Sequence, residues 1–334
     1  MVYQWFDCID AHTCGNPVRV ITSGAPALSG SNMFERRQDF LAHHDWVRKA
    51  LMFEPRGHDM MSGSILFPPD DPANDVGVLY VETSGCLPMC GHGTIGTVTV
   101  AIEKGLVKPK KEGFLNLETP AGIVKVEYEQ KEGKVKWVKL TNVPSFLYQQ
   151  DIPYHFEPLG DLKIDIAYGG NFYAIIEVQE NFKGLQEYTA EQLITWSRSI
   201  RNELNQLVSC IHPANKDITG LSHMLWCGEP IDSNNAARNA VFYGDKAIDR
   251  SPCGTGTSAR MAQRYAKGLL KKGEAFSHES YIGSVFEGMI EEELDYHGYA
   301  AIRPSIKGWA TITGENKILV DEANDPYAFG FQVI

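Results

Sequence analysis

The chain has 334 residues, 43% of them apolar, enough to bury a full core and more in keeping with two domains than with one. Its formal net charge of −11 argues against nucleic acid or an anionic membrane as partner, and no apolar run approaches eighteen residues. The opening stretch MVYQWFDCID lacks the basic and apolar regions of a secretion signal, so the expectation is a cytoplasmic protein that acts on a small molecule.

In chain order, β-branched or alternating runs predict strands at 17–22, 76–82, 123–128, 135–141, 172–178, 284–292 and 309–313. Helical patterns fall at 35–53, 93–104, 190–208 and 256–270. Strands outnumber helices and are parted by glycine and aspartate turns. The expected fold class is therefore α/β of the α+β kind, with mixed sheets each built around one main helix, and not a doubly wound parallel sheet. The turn-rich stretch QQDIPYHFEPLGDLKI (150–165) is the expected linker.

Cysteines stand at 8, 14, 86, 90, 210, 227 and 253, an odd and scattered set without the spacing of a disulfide scaffold. Cys86-x3-Cys90-x-His92 could form part of a metal site, but a second closely spaced ligand pair is missing, so no metal is expected. Neither a phosphate loop nor a dinucleotide fingerprint occurs, and no organic cofactor is expected.

An internal repeat organises the rest. Cys90-Gly91-His92-Gly93-Thr94 matches Cys253-Gly254-Thr255-Gly256-Thr257, with Pro88 and Pro252 just upstream. Each copy runs into a helical pattern that ends in Lys-Gly-Leu, at 104–106 and 267–269, with fourteen residues from cysteine to lysine in both. ETPAGIVKVEYE (118–129) parallels ESYIGSVFEGMI (279–290), and HTCGNPVRVI (12–21) parallels YGGNFYAIIE (168–177). The matches keep one order at offsets of about 155 to 163 residues, which argues for duplicated domains. The expected boundaries are 1–157 for the first domain, rejoined by a segment from about 315 to 334, and 158–314 for the second.

Two thiols, each at a helix start, suit a racemase. Inverting a stereocentre by proton transfer needs a group that removes the α-hydrogen from one face and another that delivers a proton to the opposite face. A thiol titrates near 8.5 when unperturbed, and a helix N-terminus can lower it towards the working pH. The glycine turns add backbone amides able to hold a carboxylate and the charge that develops on deprotonation.

MCGHGTIG (89–96) together with DRSPCGTGTSARMA (249–262) resembles the proline racemase family, whose members include 4-hydroxyproline 2-epimerases and trans-3-hydroxyproline dehydratases. DAHTCGNPVRV, EPRGHDMMSGSILFPP and NVPSF extend the likeness along the chain. The resemblance implies a diaminopimelate-epimerase-like fold of two halves with the active site between them, and Cys90 and Cys253 as acid and base. It implies carboxylate-holding amides at Gly91, His92, Gly254 and Thr255, with Asp249 and the His92 side chain towards the substrate nitrogen. The second cysteine argues against a dehydratase, where threonine is usual. Ser62 and Tyr243 stand where proline-specific members carry phenylalanine, so a hydroxylated ring is expected, with His223 as a further pocket residue. The expectation is 4-hydroxyproline epimerisation, with proline racemisation next and dehydration after it. A homodimer is admitted as an assembly.

Overall fold

The computed structural model describes residues 1–333. In chain order the elements are β1 (Tyr3–Thr13), β2 (Asn16–Ser23), α1 (Met33–Asp39), α2 (Asp45–Met52), β3 (Ser62–Phe67), β4 (Val76–Glu82), β5 (Gly85–Leu87), α3 (Gly91–Glu103), β6 (Phe114–Thr119), β7 (Gly122–Lys131) and β8 (Lys134–Thr141). They continue as β9 (Ser145–Phe156), β10 (Gly160–Tyr168), β11 (Phe172–Ile176), α4 (Ala190–Leu207), β12 (His223–Gly228), β13 (Ala237–Tyr243), β14 (Ala247–Ile248), α5 (Gly254–Ala266), β15 (Phe276–Glu279), β16 (Val285–Tyr296), β17 (Tyr299–Gly308) and β18 (Ala310–Asp321). No helix among the described residues is long and apolar enough to cross a membrane. The single helix expected at 35–53 is interrupted by a π-helical turn at Phe40–His44, which separates α1 from α2.

The chain divides into two compact units, Met1–Leu140 with Gly308–Ile334, and Thr141–Lys307. In the first, strands run β18–β1–β2–β3–β4–β6–β7, antiparallel except for the parallel pairs β2–β3 and β4–β6, with the short β5 folding back on β4. In the second, the order β9–β10–β11–β12–β13–β15–β16–β17 has its parallel pairs at β11–β12 and β13–β15, and β17 pairs with β9 to close the sheet. The run from β18 to β7 matches the run from β9 to β16 strand for strand, parallel pairs included, as a duplicated diaminopimelate-epimerase-like fold requires. The stretch expected as a linker is the β9–β10 hairpin, paired from Phe156–Gly160 to Phe146–Tyr168. Thus the division falls at 140/141 and not at 157/158, because those ladder hydrogen bonds tie 145–156 to the second unit.

Each sheet is covered on both faces, which explains strands such as β4 and β11 whose residues are all buried. In the first unit Val100 of α3 packs against Ile9, Val18 and Val20, while Met33, Phe40, Val47 and Leu51 meet Phe6, Ile65 and Leu79 on the other face. In the second unit Ala259 of α5 packs among Ala167, Ile175, Leu225 and Val241, and α4 lays Leu193, Ile200 and Leu204 over Trp226 and Phe242. The start of α4 is set by a capping box between Thr189 and Gln192. Two glycines let helix and strand approach: a Cβ on Gly96 would lie 2.9 Å from Val18 Cγ2, and one on Gly169 would lie 2.4 Å from Ala259 N.

The duplication extends to buried polar anchors. Glu118, at the end of β6, accepts from the amides of Asp70 and Asp71 and from Asn74 Nδ2, at 2.7–2.8 Å. Glu279, at the end of β15, accepts from Ile231, Asp232 and Asn235 in the same pattern at 2.6–2.8 Å. Burial alone would raise these carboxyls. The donors outweigh it and hold both below the usual carboxylate range.

Candidate active site

In the first unit, Cys90 caps α3 in extended backbone, φ −142°. The helix behind it is buried from Gly91 through Ala101, so the positive end of its dipole lies out of bulk solvent. Thr94 N closes the first helical bond to Cys90 O at 2.9 Å. The sulfur lies 3.4 Å from Glu82 Oε1 and 3.5 Å from His92 Nδ1. Across the ring, Asn16 Nδ2 is 3.1 Å from His92 Nε2, and Thr13 Oγ1 donates to the His92 carbonyl at 2.8 Å. With the Asn16 amide as donor, Nε2 accepts and the ring proton sits on Nδ1, towards the sulfur.

Glu82 is the residue that sequence reasoning missed. It ends β4 directly opposite Ser62 in β3, both buried, so the two share one face of the sheet. Burial raises the Glu82 carboxyl, against the hydrogen bonds from Ser84 and Cys90 and the nearby Ser62 hydroxyl. Ser62 Oγ itself completes no hydrogen bond of normal geometry, although it lies close enough to favour the carboxylate.

In the second unit, Cys253 caps α5 with φ +64°, a left-handed conformation that is uncommon for a residue with a Cβ. Its sulfur lies 3.3 Å from Tyr173 Oη and 3.9 Å from Thr255 Oγ1, and those two oxygens are 2.5 Å apart. Asn171 Nδ2 donates to Thr255 Oγ1 at 3.4 Å. Asp249 shapes the approach to the thiol: its Oδ1 accepts from Ser251 N and Oγ, both at 2.8 Å, and Ser251 Oγ accepts from Cys253 N at 3.1 Å.

The helix start was expected to lower the thiols. For Cys253 the outcome is the reverse. Burial pushes it up, the Asp249 charge adds to that, and donation from Tyr173, the Gly256 amide and Thr255 only partly offsets the rise.

The glycines two residues past Gly91 and Gly254 fix how each sulfur sits against its helix. A Cβ on Gly93 would meet Cys90 Sγ at 2.9 Å, and one on Gly256 would meet Cys253 Sγ at 3.1 Å. The same Cβ would also come within 3.2 Å of a tyrosine ring carbon, Tyr80 Cδ1 in the first unit and Tyr173 Cε1 in the second. The tyrosines come from different strands, β4 and β11.

The remaining expected residues fall into register. Met224 pairs with Phe242, so one step further His223 of β12 faces Tyr243 of β13, the same positions that Ser62 and Glu82 hold in β3 and β4. The His223 ring lies tilted against Tyr173, with ring centres 4.7 Å apart and planes at 32°, and its Nδ1 is 2.7 Å from Ser222 Oγ. Ser62, Cys90, Gly91 and His92 thus gather in the first unit, and His223, Tyr243, Asp249, Cys253, Gly254 and Thr255 in the second. Glu82 joins Cys90 and His92 in a group whose ligand-type atoms lie within 4.8 Å of one another. Cys86 is outside that group, with burial pushing its thiol up to about 12. Tyr173 and Asn16 were not singled out from the sequence. The Gly-Asn repeat preceding β2 and β11 was the signal that could have marked Asn16.

The family model described as proline racemase matches residues 8–332. The 4-hydroxyproline 2-epimerase of Spirosoma linguale is 63% identical over 330 residues, 98% of each chain, and that of Shewanella loihica is 57% identical over the whole of both. A hydroxyproline epimerase from Agrobacterium vitis, solved with bound trans-4-hydroxy-L-proline, superposes with a TM-score of 0.89 at 28% identity, covering 98% of this chain and 96% of that one. A phenazine biosynthesis protein of the PhzF family from Bacillus anthracis shares the fold at a TM-score of 0.62 and 15% identity, over 96% of this chain and all of that one.

Proposed function

Since the chain belongs to the proline racemase family, we propose that it interconverts trans-4-hydroxy-L-proline and cis-4-hydroxy-D-proline by passing the α-proton through two thiols. The observation that carries this reading is the repeated constellation of a cysteine N-cap, a glycine against its sulfur and a buried helix start, once in each unit. One thiol serves as base and the other as acid, and reversal of the roles runs the reaction backwards. No cofactor enters the scheme. The names of the relatives at 57–63% identity support the same activity.

In this reading the first-turn amides of Gly91, His92, Gly254 and Thr255 hold the substrate carboxylate and the negative charge that builds on it as the α-carbon is deprotonated. Glu82 and His92 position the Cys90 sulfur, and Tyr173 with Thr255 positions that of Cys253. His92 and Asp249 are assigned to the substrate nitrogen. The ring hydroxyl is assigned to Ser62, a buried hydroxyl whose hydrogen-bonding capacity a protein partner leaves unmet. His223 and Tyr243 complete the ring pocket. The reaction is placed in the cytoplasm, and no nucleic acid or membrane partner is assigned.

The test is direct: incubate purified protein with trans-4-hydroxy-L-proline, L-proline and trans-3-hydroxy-L-proline, and resolve the products by chiral chromatography. The expected result is the cis-4-hydroxy-D epimer, with kcat/KM for 4-hydroxyproline above that for proline by about ten- to a hundredfold. Equal or faster turnover of L-proline would make the protein a proline racemase instead.

A further inference from the structure

Glu82, Cys90 and His92 present a carboxylate oxygen, a sulfur and a ring nitrogen, all three residues buried. These are the ligand types that zinc takes. With bonds of about 2.3 Å to sulfur and about 2.0–2.1 Å to nitrogen and oxygen, a tetrahedral ion sets its sulfur about 3.5 Å from each of the other two ligand atoms. Here His92 Nδ1 is 3.5 Å and Glu82 Oε1 is 3.4 Å from Cys90 Sγ. The two edges from sulfur to the other protein ligands of a zinc tetrahedron are therefore already at length.

The groups behind these ligands suit the same use. Ser84 donates to Glu82 Oε2 at 3.0 Å, which orients the carboxylate, and Asn16 sits 3.1 Å from His92 Nε2. A neutral ring that offers Nδ1 to an ion must carry its proton on Nε2, and rotating the Asn16 carboxamide to present its oxygen accepts that proton's hydrogen bond. Three protein ligands leave a fourth position for water or for a substrate carboxylate. Among the described residues no second group of this kind forms. Around Cys253 the neighbours are hydroxyls.

The geometry points to a binding site for a zinc-type divalent cation at Glu82, Cys90 and His92, and to reversible inhibition when it is filled. Binding takes the thiol proton into solution and leaves the sulfur bonded to the metal, unable to exchange a proton with substrate. Inhibition rests on the proposed function, whereas binding does not.

The experiment uses the full, untagged chain, washed with chelator and titrated with Co2+ and then Zn2+. The expected result is a near-ultraviolet thiolate-to-cobalt absorption at one ion per chain, abolished by Zn2+, absent in Cys90→Ser and retained in Cys253→Ser. His92→Asn and Glu82→Gln should weaken cobalt binding at least about tenfold. Epimerisation should fall over the same Zn2+ range and return on adding chelator. No absorption in the wild type, persistence in a folded Cys90→Ser, or unchanged affinity in His92→Asn would overturn the site. A chain that shows the absorption yet epimerises nothing would uphold the site and contradict the functional reading alone.

Discussion

Around Cys90 the sulfur meets a carboxylate at 3.4 Å and an imidazole at 3.5 Å, whereas around Cys253 it meets a phenol at 3.3 Å and a threonine hydroxyl at 3.9 Å. The scaffolds beneath are nearly the same: matching strand orders, a glycine against each sulfur, and the Glu118 and Glu279 anchors with equivalent donors. Even so, the cap itself differs, extended at Cys90 and left-handed at Cys253. Duplication has kept the backbone frame while the groups touching each sulfur have diverged. A carboxylate and an imidazole touch one sulfur, and two hydroxyls touch the other. In an epimerase whose two substrates are diastereomers, the two faces of the α-carbon are not equivalent, and two unlike acid–base environments suit that chemistry.

The largest effect expected is from the sulfurs themselves. Cys90→Ser and Cys253→Ser should each cut kcat/KM for epimerisation by about a thousandfold or more, about 4 kcal/mol of transition-state stabilisation, with circular dichroism unchanged. Near-normal turnover in either variant would break the idea that both halves are needed.

Next come the glycines that the halves share. Gly93→Ala puts a Cβ 2.9 Å from Cys90 Sγ, and Gly256→Ala puts one 3.1 Å from Cys253 Sγ. Either sulfur must move, and a displacement of that kind should lower kcat by about a hundredfold. Steady-state kinetics on both variants would show whether the two halves are equally intolerant.

A smaller effect should separate Ser62 from its counterpart in the second half, His223. Ser62→Phe removes the hydroxyl assigned to the substrate ring, so the preference for 4-hydroxyproline over proline should shrink by about tenfold or more, consistent with about 1–3 kcal/mol for an unpaired polar group. Competition between the two substrates reads this ratio. An unchanged ratio would remove Ser62 from the ring pocket.

The smallest expected effect is on stability. Burial, then the Asp249 charge, raises the Cys253 thiol above its ordinary value near 9 in the folded chain. Since the raised value belongs to the folded state, the folded chain binds more protons above about pH 9. The thiol's contribution is therefore complete below that pH and is lost as the pH rises. Wild-type unfolding free energy should fall more steeply than that of Cys253→Ala above about pH 9, by up to about 1.4 kcal/mol per pH unit. Denaturant titrations at pH 8, 9 and 10 provide the slopes, and equal slopes would contradict the raised thiol.

Much of this comparison was legible in the sequence, and the reasons for the gaps are physical. The cysteine repeat located α3 and α5 at their first turns because a helix start needs a local signal and both copies carry it. Strands with continuous apolar runs, such as β4, stood out for the same local reason. The β9–β10 hairpin did not, since Pro153 and the left-handed Asp151 (φ 54°) interrupt its alternation and the pairing slips between Ile164 and Ile166. Glu82 was invisible as a site residue because only the β3–β4 register and the β4–β5 return bring it to Cys90. Tyr173 reads as an ordinary core aromatic in FYAII, and its ring does pack in the core, but its face meets His223 and its hydroxyl reaches the Cys253 sulfur.

The central claim is that two different groups handle the α-proton, and isotope transfer in D2O tests it most directly. Starting from trans-4-hydroxy-L-proline and sampling the first few per cent of conversion, the cis-4-hydroxy-D-proline formed should carry deuterium at the α-carbon almost completely. The recovered substrate should carry almost none, because the thiol that removes the proton is not the one that returns a deuteron. Product that retains protium, or substrate that exchanges as fast as product forms, would place both transfers on one group and contradict the account.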